Sequence, residues 1–192
     1  MTKRKYLTRQ EIGRMEKEAL NGRFALRDRC MIRMCFMHGF RISELCTLRM
    51  SDIDLEARTI FVRRLKNGFS TIHPLTREEL PLLMAWLLDR ENWREADSPY
   101  LFLSQKKGSL SRSTVHELFR RLGRDAGLGV DVHPHMLRHA CGYALADLGA
   151  DTRVIQDYLG HRNINHTVIY TASNSSRFRR LWDKTENSVE TD

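Results

Sequence analysis

The chain has 192 residues, 41% of them hydrophobic, which is enough to bury one good core with room for a small subdomain. Lys and Arg number 32 against 24 Asp and Glu, a formal charge of +8, and the pI is near 9.6; this favours a polyanionic partner. No run approaches the roughly 18 apolar residues of a membrane span, and no apolar stretch follows the basic start MTKRKY as in a secretory signal. A cytoplasmic, nucleoid-associated protein with no membrane partner is expected. Cys30, Cys35, Cys46 and Cys141 show no CxxC spacing and read as reduced core thiols.

In chain order, a basic arm over residues 1–6 precedes Thr8-Arg9-Gln10-Glu11, a capping box that starts a first helix. Gly22 ends that helix or lies in the loop just after. Leu26, Cys30, Met31, Met34 and Cys35 keep helical spacing and mark a buried helix stopped by Gly39. In HGFRISEL, Ser43 suits the N-cap of a helix through Leu48, which leaves Arg41 just before a helix start. An arginine there is in most proteins a solvated surface group.

Thr59 to Leu65 and Phe69 to His73 are rich in β-formers. Lys66-Asn67-Gly68 between them holds Asn-Gly, a strong hairpin signal that puts Lys66 at a solvent-facing tip. By itself, that is a solubilising turn lysine. Leu80, Leu83, Met84, Leu87 and Leu88 predict a further helix, with Thr76 and Glu79 as its capping box and Pro81 confined to its first turn. Tyr100 to Ser104 reads as a short extended segment and Lys106-Lys107-Gly108 as a basic turn. Ser111 or Ser113 caps a helix with Val115, Leu118, Phe119 and Leu122 inside and Arg120, Arg121 and Arg124 outside, ended by Gly127. These arginines and the Lys106-Lys107 pair suit a DNA phosphate backbone, and a solvated face explains them about as well.

The stretch HPHMLRH, His133 to His139, opens a helix near His135 in which Leu137, Ala140, Cys141, Ala144, Leu145 and Leu148 follow the 3.6-residue period. His135, Arg138 and His139 fall roughly opposite that stripe and are expected to look outward. The first turn's unpaired N–H groups make an anion site there. Gly149 closes this helix, and Asp151 caps the next, whose apolar face is Val154, Ile155, Tyr158 and Leu159. Gly160 turns the chain out at His161, Thr167 caps a short helix carrying Tyr170, and Phe178, Leu181 and Trp182 form an apolar patch. Residues 185–192 read as a disordered tail.

Arg41 followed by Ile42-Ser43-Glu44-Leu45, Lys66 on a hairpin, His135-Met136-Leu137-Arg138-His139, Leu159-Gly160-His161 and Tyr170 nine residues later stand in one order and spacing. In that pattern the sequence resembles the tyrosine recombinases, or lambda-integrase family. Within it, RLKNGFSTIHPL, HPHMLRHACGYALADLGAD and IQDYLGHRNINHTVIYTASN are similar to the small invertases that switch fimbrial promoters. The resemblance implies a mainly α catalytic fold with a small antiparallel β-sheet. It implies a single catalytic domain over residues 1–192, with no separate N-terminal core-binding domain. It also implies homotetramers on two inverted-repeat DNA sites, with accessory DNA-bending proteins to help.

The residue types suit that chemistry. A phosphodiester attacked by tyrosine gains negative charge, and Arg41 and Arg138 can offer forked donors to its non-bridging oxygens. His135 and His161 add hydrogen bonds and can take the tyrosine proton. Two guanidiniums should favour a Tyr170 phenolate. The resemblance makes Lys66 the acid that protonates the leaving 5′-oxygen. Glu44 reads as orienting Arg41 or a histidine, and His139 as supporting the site. Exchanging one ester for another needs neither metal nor other cofactor.

Two rivals stand. A zinc hydrolase would use the i, i+4 pair His135 and His139, but Met136 stands where a zinc-protease motif has glutamate. A DNA-binding regulator that never cuts would leave the catalytic residue types without work.

Overall fold

A computed structural model describes residues 4–65, 68–105 and 108–172. Among these are α1 (Arg9–Ala19), α2 (Ala25–His38), α3 (Ile42–Cys46), α4 (Leu80–Arg90), α5 (Arg112–Asp125), α6 (Pro134–Asp147), α7 (Thr152–Leu159) and α8 (Asn165–Ala172). The strands β1 (Ile53–Asp54), β2 (Thr59–Val62) and β3 (Thr71–Pro74) form one antiparallel sheet in that order, with Ile60 opposite His73 and Val62 opposite Thr71. The fold is mainly α with a small sheet, as the family resemblance implied.

α2 is the central rod, packed on α1, α4 and α6. It buries Cys30, Met31, Ile32, Met34, Cys35 and Phe36, so it is apolar on several sides rather than along one stripe. The Thr8–Glu11 capping box is formed at the start of α1. Ser111 caps α5 and Asp151 caps α7, each accepting from the backbone N–H three residues on. The four cysteines are buried free thiols.

Several expected faces are rotated. In α4 the inward positions are Leu83, Trp86 and Arg90, while Met84 and Leu88 are exposed. Trp86 Nε1 donates to the Leu101 carbonyl, and the Arg90 guanidinium donates to the carbonyls of Ala96, Ser98, Tyr100 and Leu101. These polar anchors fix the helix's roll, which a count of leucines misses. Leu26, Leu148 and Val154 are likewise exposed rather than core. α3 begins at Ile42 with Arg41 in the N-cap position, two residues before the expected Ser43 cap, and ends at Cys46 rather than running through Leu48.

The connection from β2 to β3 is longer than a two-residue Asn-Gly turn, because pairing stops at Val62 and Thr71. Lys66 and Asn67, like Lys106, Lys107, Phe178, Leu181, Trp182 and the 185–192 tail, lie outside the described residues. Tyr100 and Leu103 each make a single β-bridge, to Arg49 and Ser109, in place of a strand.

Candidate active site

Two helices end at the same place. α2 stops at Gly39 and α7 at Gly160, both in left-handed backbone with φ of 57° and 64°, a conformation that glycine adopts without a Cβ clash. Their last carbonyls lack intrahelical partners and carry the negative ends of two helix dipoles. Three arginines occupy them. Arg138 donates to Gly39 O and to Leu159 O, the latter at 2.6 Å. Arg64 donates to His38 O at 3.0 Å and Tyr158 O at 2.6 Å. Arg41 reaches Gly160 O at 3.4 Å.

This pairing overturns the outward view of Arg138. Its side chain is buried at 2% exposure, because α6 is covered by α2 on one side and by α7 and α8 on others. Burial, with Arg64 and Arg41 nearby, lowers its pKa to about 10, so it stays charged at neutral pH. Glu44 ties the cluster together. One carboxylate oxygen accepts from Arg41 Nη1 at 2.7 Å, the other from Arg64 Nη1 at 2.8 Å and from the Arg41 backbone N–H at 2.9 Å. Burial alone would push the Glu44 carboxyl up, but the Arg64 and Arg41 charges and hydrogen bonds hold it below the usual carboxylate range.

Over this cluster lies a cleft of about 430 Å³ lined by Arg41, His135, Arg138, His139, His161, Asn165, His166, Ile169 and Tyr170. Five of the six predicted catalytic residues therefore line one cavity, and the sixth, Lys66, lies outside the described residues. His133 holds the N-cap position of α6 and Pro134 its first turn, where a missing N–H costs nothing. His161 Nδ1 lies 2.9 Å from Thr167 Oγ1, so Thr167 sits inside α8 as a histidine partner and not as its cap. Burial and the positive charge of Arg138 and Arg41 lower the His161 pKa to about 3 and lower that of His135 as well. Both imidazoles are neutral at pH 7 and able to accept a proton from a neighbour.

Tyr170 is 1% exposed. Its Oη lies 2.9 Å from His139 Nδ1, and its ring lies so close over Gly142 that a Cβ there would sit 2.6 Å from Cζ. Burial outweighs the pull of Arg138 and pushes the Tyr170 pKa up to about 12. Burial thus opposes the phenolate that the guanidiniums favour, and the phenol shares a hydrogen bond with His139, whose own pKa burial and His135 lower to about 4.

Arg120, Arg121 and Arg124 are exposed on α5 and do not line the cleft; Arg120 pairs with Asp131 and Arg124 with Glu117. Among the described residues no three His, Cys, Asp or Glu side chains converge as a metal site requires, although the His135 and His139 rings are 5.3 Å apart. Sequence reasoning missed Arg64, Gly142, Asn165 and His166. For Arg64 a signal existed: Ile60 and Val62 point inward along β2, and the same alternation continues to Arg64 while Arg63 stays exposed.

The phage integrase family model matches residues 5–177. The chain belongs to the phage integrase family. This is the family of the tyrosine recombinases, and the chain is a tyrosine-type site-specific recombinase of it. It is 53% identical over 182 residues to the type 1 fimbriae regulatory protein FimB of Escherichia coli (strain K12), covering 95% of this chain and 91% of that one. It is 50% identical over 185 residues to the type 1 fimbriae regulatory protein FimE of the same strain, covering 96% and 93%. Among solved family structures, the XerA recombinase superposes with a TM-score of 0.81 at 31% identity, over 96% of this chain and 66% of the other. The XerH site-specific recombinase bound to its difH substrate, a pre-cleavage complex, gives 0.74 at 26% identity, over 88% and 50%. No helix among the described residues is long and apolar enough to cross a membrane.

Proposed function

We propose that this recombinase cuts and rejoins DNA through a 3′-phosphotyrosyl intermediate and inverts a segment between inverted repeats, switching a fimbrial promoter. The observation that carries this reading is the cleft itself, where two arginines, three histidines with lowered pKa values and a phenol converge on one space. The likeness to fimbriae regulatory proteins along nearly the whole chain supports the inversion and an intracellular, DNA-associated place of action.

Tyr170 Oη attacks the scissile phosphorus, its proton passing to His139 or another neutral cleft imidazole. The P–O5′ bond breaks as the O–P bond to tyrosine forms. Arg41 and Arg138 bind the non-bridging oxygens as charge grows there, held in place before the reaction by Glu44 and the helix-end carbonyls. Lys66 delivers the proton that the leaving 5′-oxygen requires. A 5′-hydroxyl from the partner duplex then reverses these steps and releases Tyr170. Four protomers on two sites, assisted by DNA-bending proteins, carry out the exchange, and Arg120, Arg121, Arg124, Lys106 and Lys107 bind flanking phosphates.

The test is incubation with duplex DNA carrying the inverted repeats. The wild type should leave a denaturant-resistant protein–DNA adduct, and Tyr170→Phe should bind as tightly and leave none. Adducts persisting in Tyr170→Phe would overturn the nucleophile assignment, and binding without any adduct in the wild type would favour a non-cutting regulator.

A further inference from the structure

We propose that Arg64 is a positioning residue that holds Arg41 and Arg138 in register over the scissile phosphate, a role that rests on assigning those two arginines to its non-bridging oxygens. Arg64 does not line the cleft and its side chain is fully buried, so any part it plays in the chemistry passes through its neighbours.

Those neighbours are the two phosphate-binding arginines. Toward one side, Arg64 Nη1 donates at 2.8 Å to the Glu44 oxygen that also accepts the Arg41 backbone N–H, while the other Glu44 oxygen holds the Arg41 guanidinium. Toward the other, Arg64 Nη1 shares Gly39 O with Arg138. Its second nitrogen joins His38 O, at the end of α2, to Tyr158 O, near the end of α7. Arg138 bridges the same two helix ends one residue further along. Arg64 thus clamps the frame on which Arg138 hangs and supplies the counter-charge that Glu44 would otherwise take from Arg41 alone. Three guanidiniums against one carboxylate leave two net positive charges for the phosphate. The seat is tight: a Cβ on Gly160 would lie 2.8 Å from Arg64 Cγ. A lysine there keeps the charge but cannot span two helix ends with a fork.

The experiment compares single-turnover cleavage of three duplexes. One has the natural scissile phosphate, one has a non-bridging oxygen replaced by methyl so that the group is neutral, and one has sulfur at the bridging 5′ position. Arg64→Met should cleave the natural duplex about 10²-fold more slowly than wild type, the loss expected of a misplaced catalytic group. Its deficit should shrink to a few-fold on the methyl duplex, where less charge needs stabilising, and should persist on the sulfur duplex. Arg64→Lys, which keeps the partner of Glu44 and so guards against a folding failure in Arg64→Met, should show the same pattern with a smaller deficit. Equal loss on all three duplexes would mean that Arg64 serves folding alone, and rescue by sulfur would mean that it acts through the Lys66 loop. Either result, or wild-type cleavage of the natural duplex, overturns the proposal. If Arg138→Ala gains nothing from the methyl duplex, the parent assignment of Arg138 fails and this proposal with it. If Arg138→Ala gains and both Arg64 variants do not, only the Arg64 proposal falls.

Discussion

At the scale of single residues, the site depends on two buried side chains, Arg138, which the helical period turned outward, and Tyr170. Arg138 loses water but gains two helix-end carbonyls, so its charge is kept where a phosphate can use it. Tyr170 loses water and, among the described residues, gains a hydrogen bond to His139 and no charged partner within reach of one, so burial raises its pKa. The ring's place is set by Gly142, the one residue type that leaves room for it. Gly142→Ala should therefore overpack the site and destabilise the fold by roughly 1–3 kcal/mol. The same substitution made in a Tyr170→Ala background should cost far less, and chemical denaturation of the four proteins measures the coupling. An unchanged penalty without the ring would show that the methyl collides with something else.

Among elements, the β2–β3 connection matters most, since it carries Arg64 inward and Lys66 follows two residues later. If Lys66 protonates the leaving group, Lys66→Ala should slow cleavage by roughly 10²–10⁴-fold. A duplex with sulfur at the bridging 5′ position leaves as a much weaker base, so Lys66→Ala should cut it almost as fast as wild type does. Arg138→Ala should gain no such rescue. A Lys66→Ala deficit that sulfur leaves intact would move the acid elsewhere. The other strand of the pair, β3, is anchored through His73, which is buried 3.2 Å from His38 Nδ1 and stacked on Tyr158, while His38 Nε2 meets Glu79 at 2.6 Å. Burial, with His38 and Arg64 nearby, lowers the His73 pKa to about 2. Below its unfolded value near 6.5, the unfolded chain binds a proton that the native one refuses. Stability should be full above pH 6.5 and fall as the pH drops toward the folded value, by up to about 1.4 kcal/mol per pH unit from this residue. Thermal melts from pH 7.5 to 5 should show that decline, and His73→Gln should make it shallower, the lowered His135, His139 and His161 supplying the remainder.

For the whole molecule, the +8 charge and the arginine-filled cleft set how DNA binding responds to the medium. Several phosphate contacts imply that affinity for the inverted-repeat duplex falls steeply and log-linearly with salt, each contact adding about 0.9 to the slope. Titrations from 50 to 300 mM salt read this directly, and a flat response would place the basic residues away from the backbone. Guanidiniums provide the positive charge in the proposed chemistry, so cleavage should proceed in excess EDTA without nucleotide. A strict requirement for an added divalent ion in the cleavage step would contradict that.

How much was legible follows from the reach of each kind of signal. Caps, glycine stops and the order of Arg41, His135, Arg138, His161 and Tyr170 are local or linear, so the chain alone predicted the helices and these five cleft residues, but not Asn165, His166 or the supporting Arg64 and Gly142. Periodicity also reported which positions were apolar, but not which polar anchor would fix a helix's roll, as Trp86 and Arg90 do in α4. Nothing linear could show that α2 and α7 end against each other. That meeting decides that Arg138 is buried and which carbonyls the inward-facing Arg64 holds beside it. The reason is physical: unpaired carbonyls at two helix ends, separated by over a hundred residues, can be satisfied together only once the core has brought them to one point.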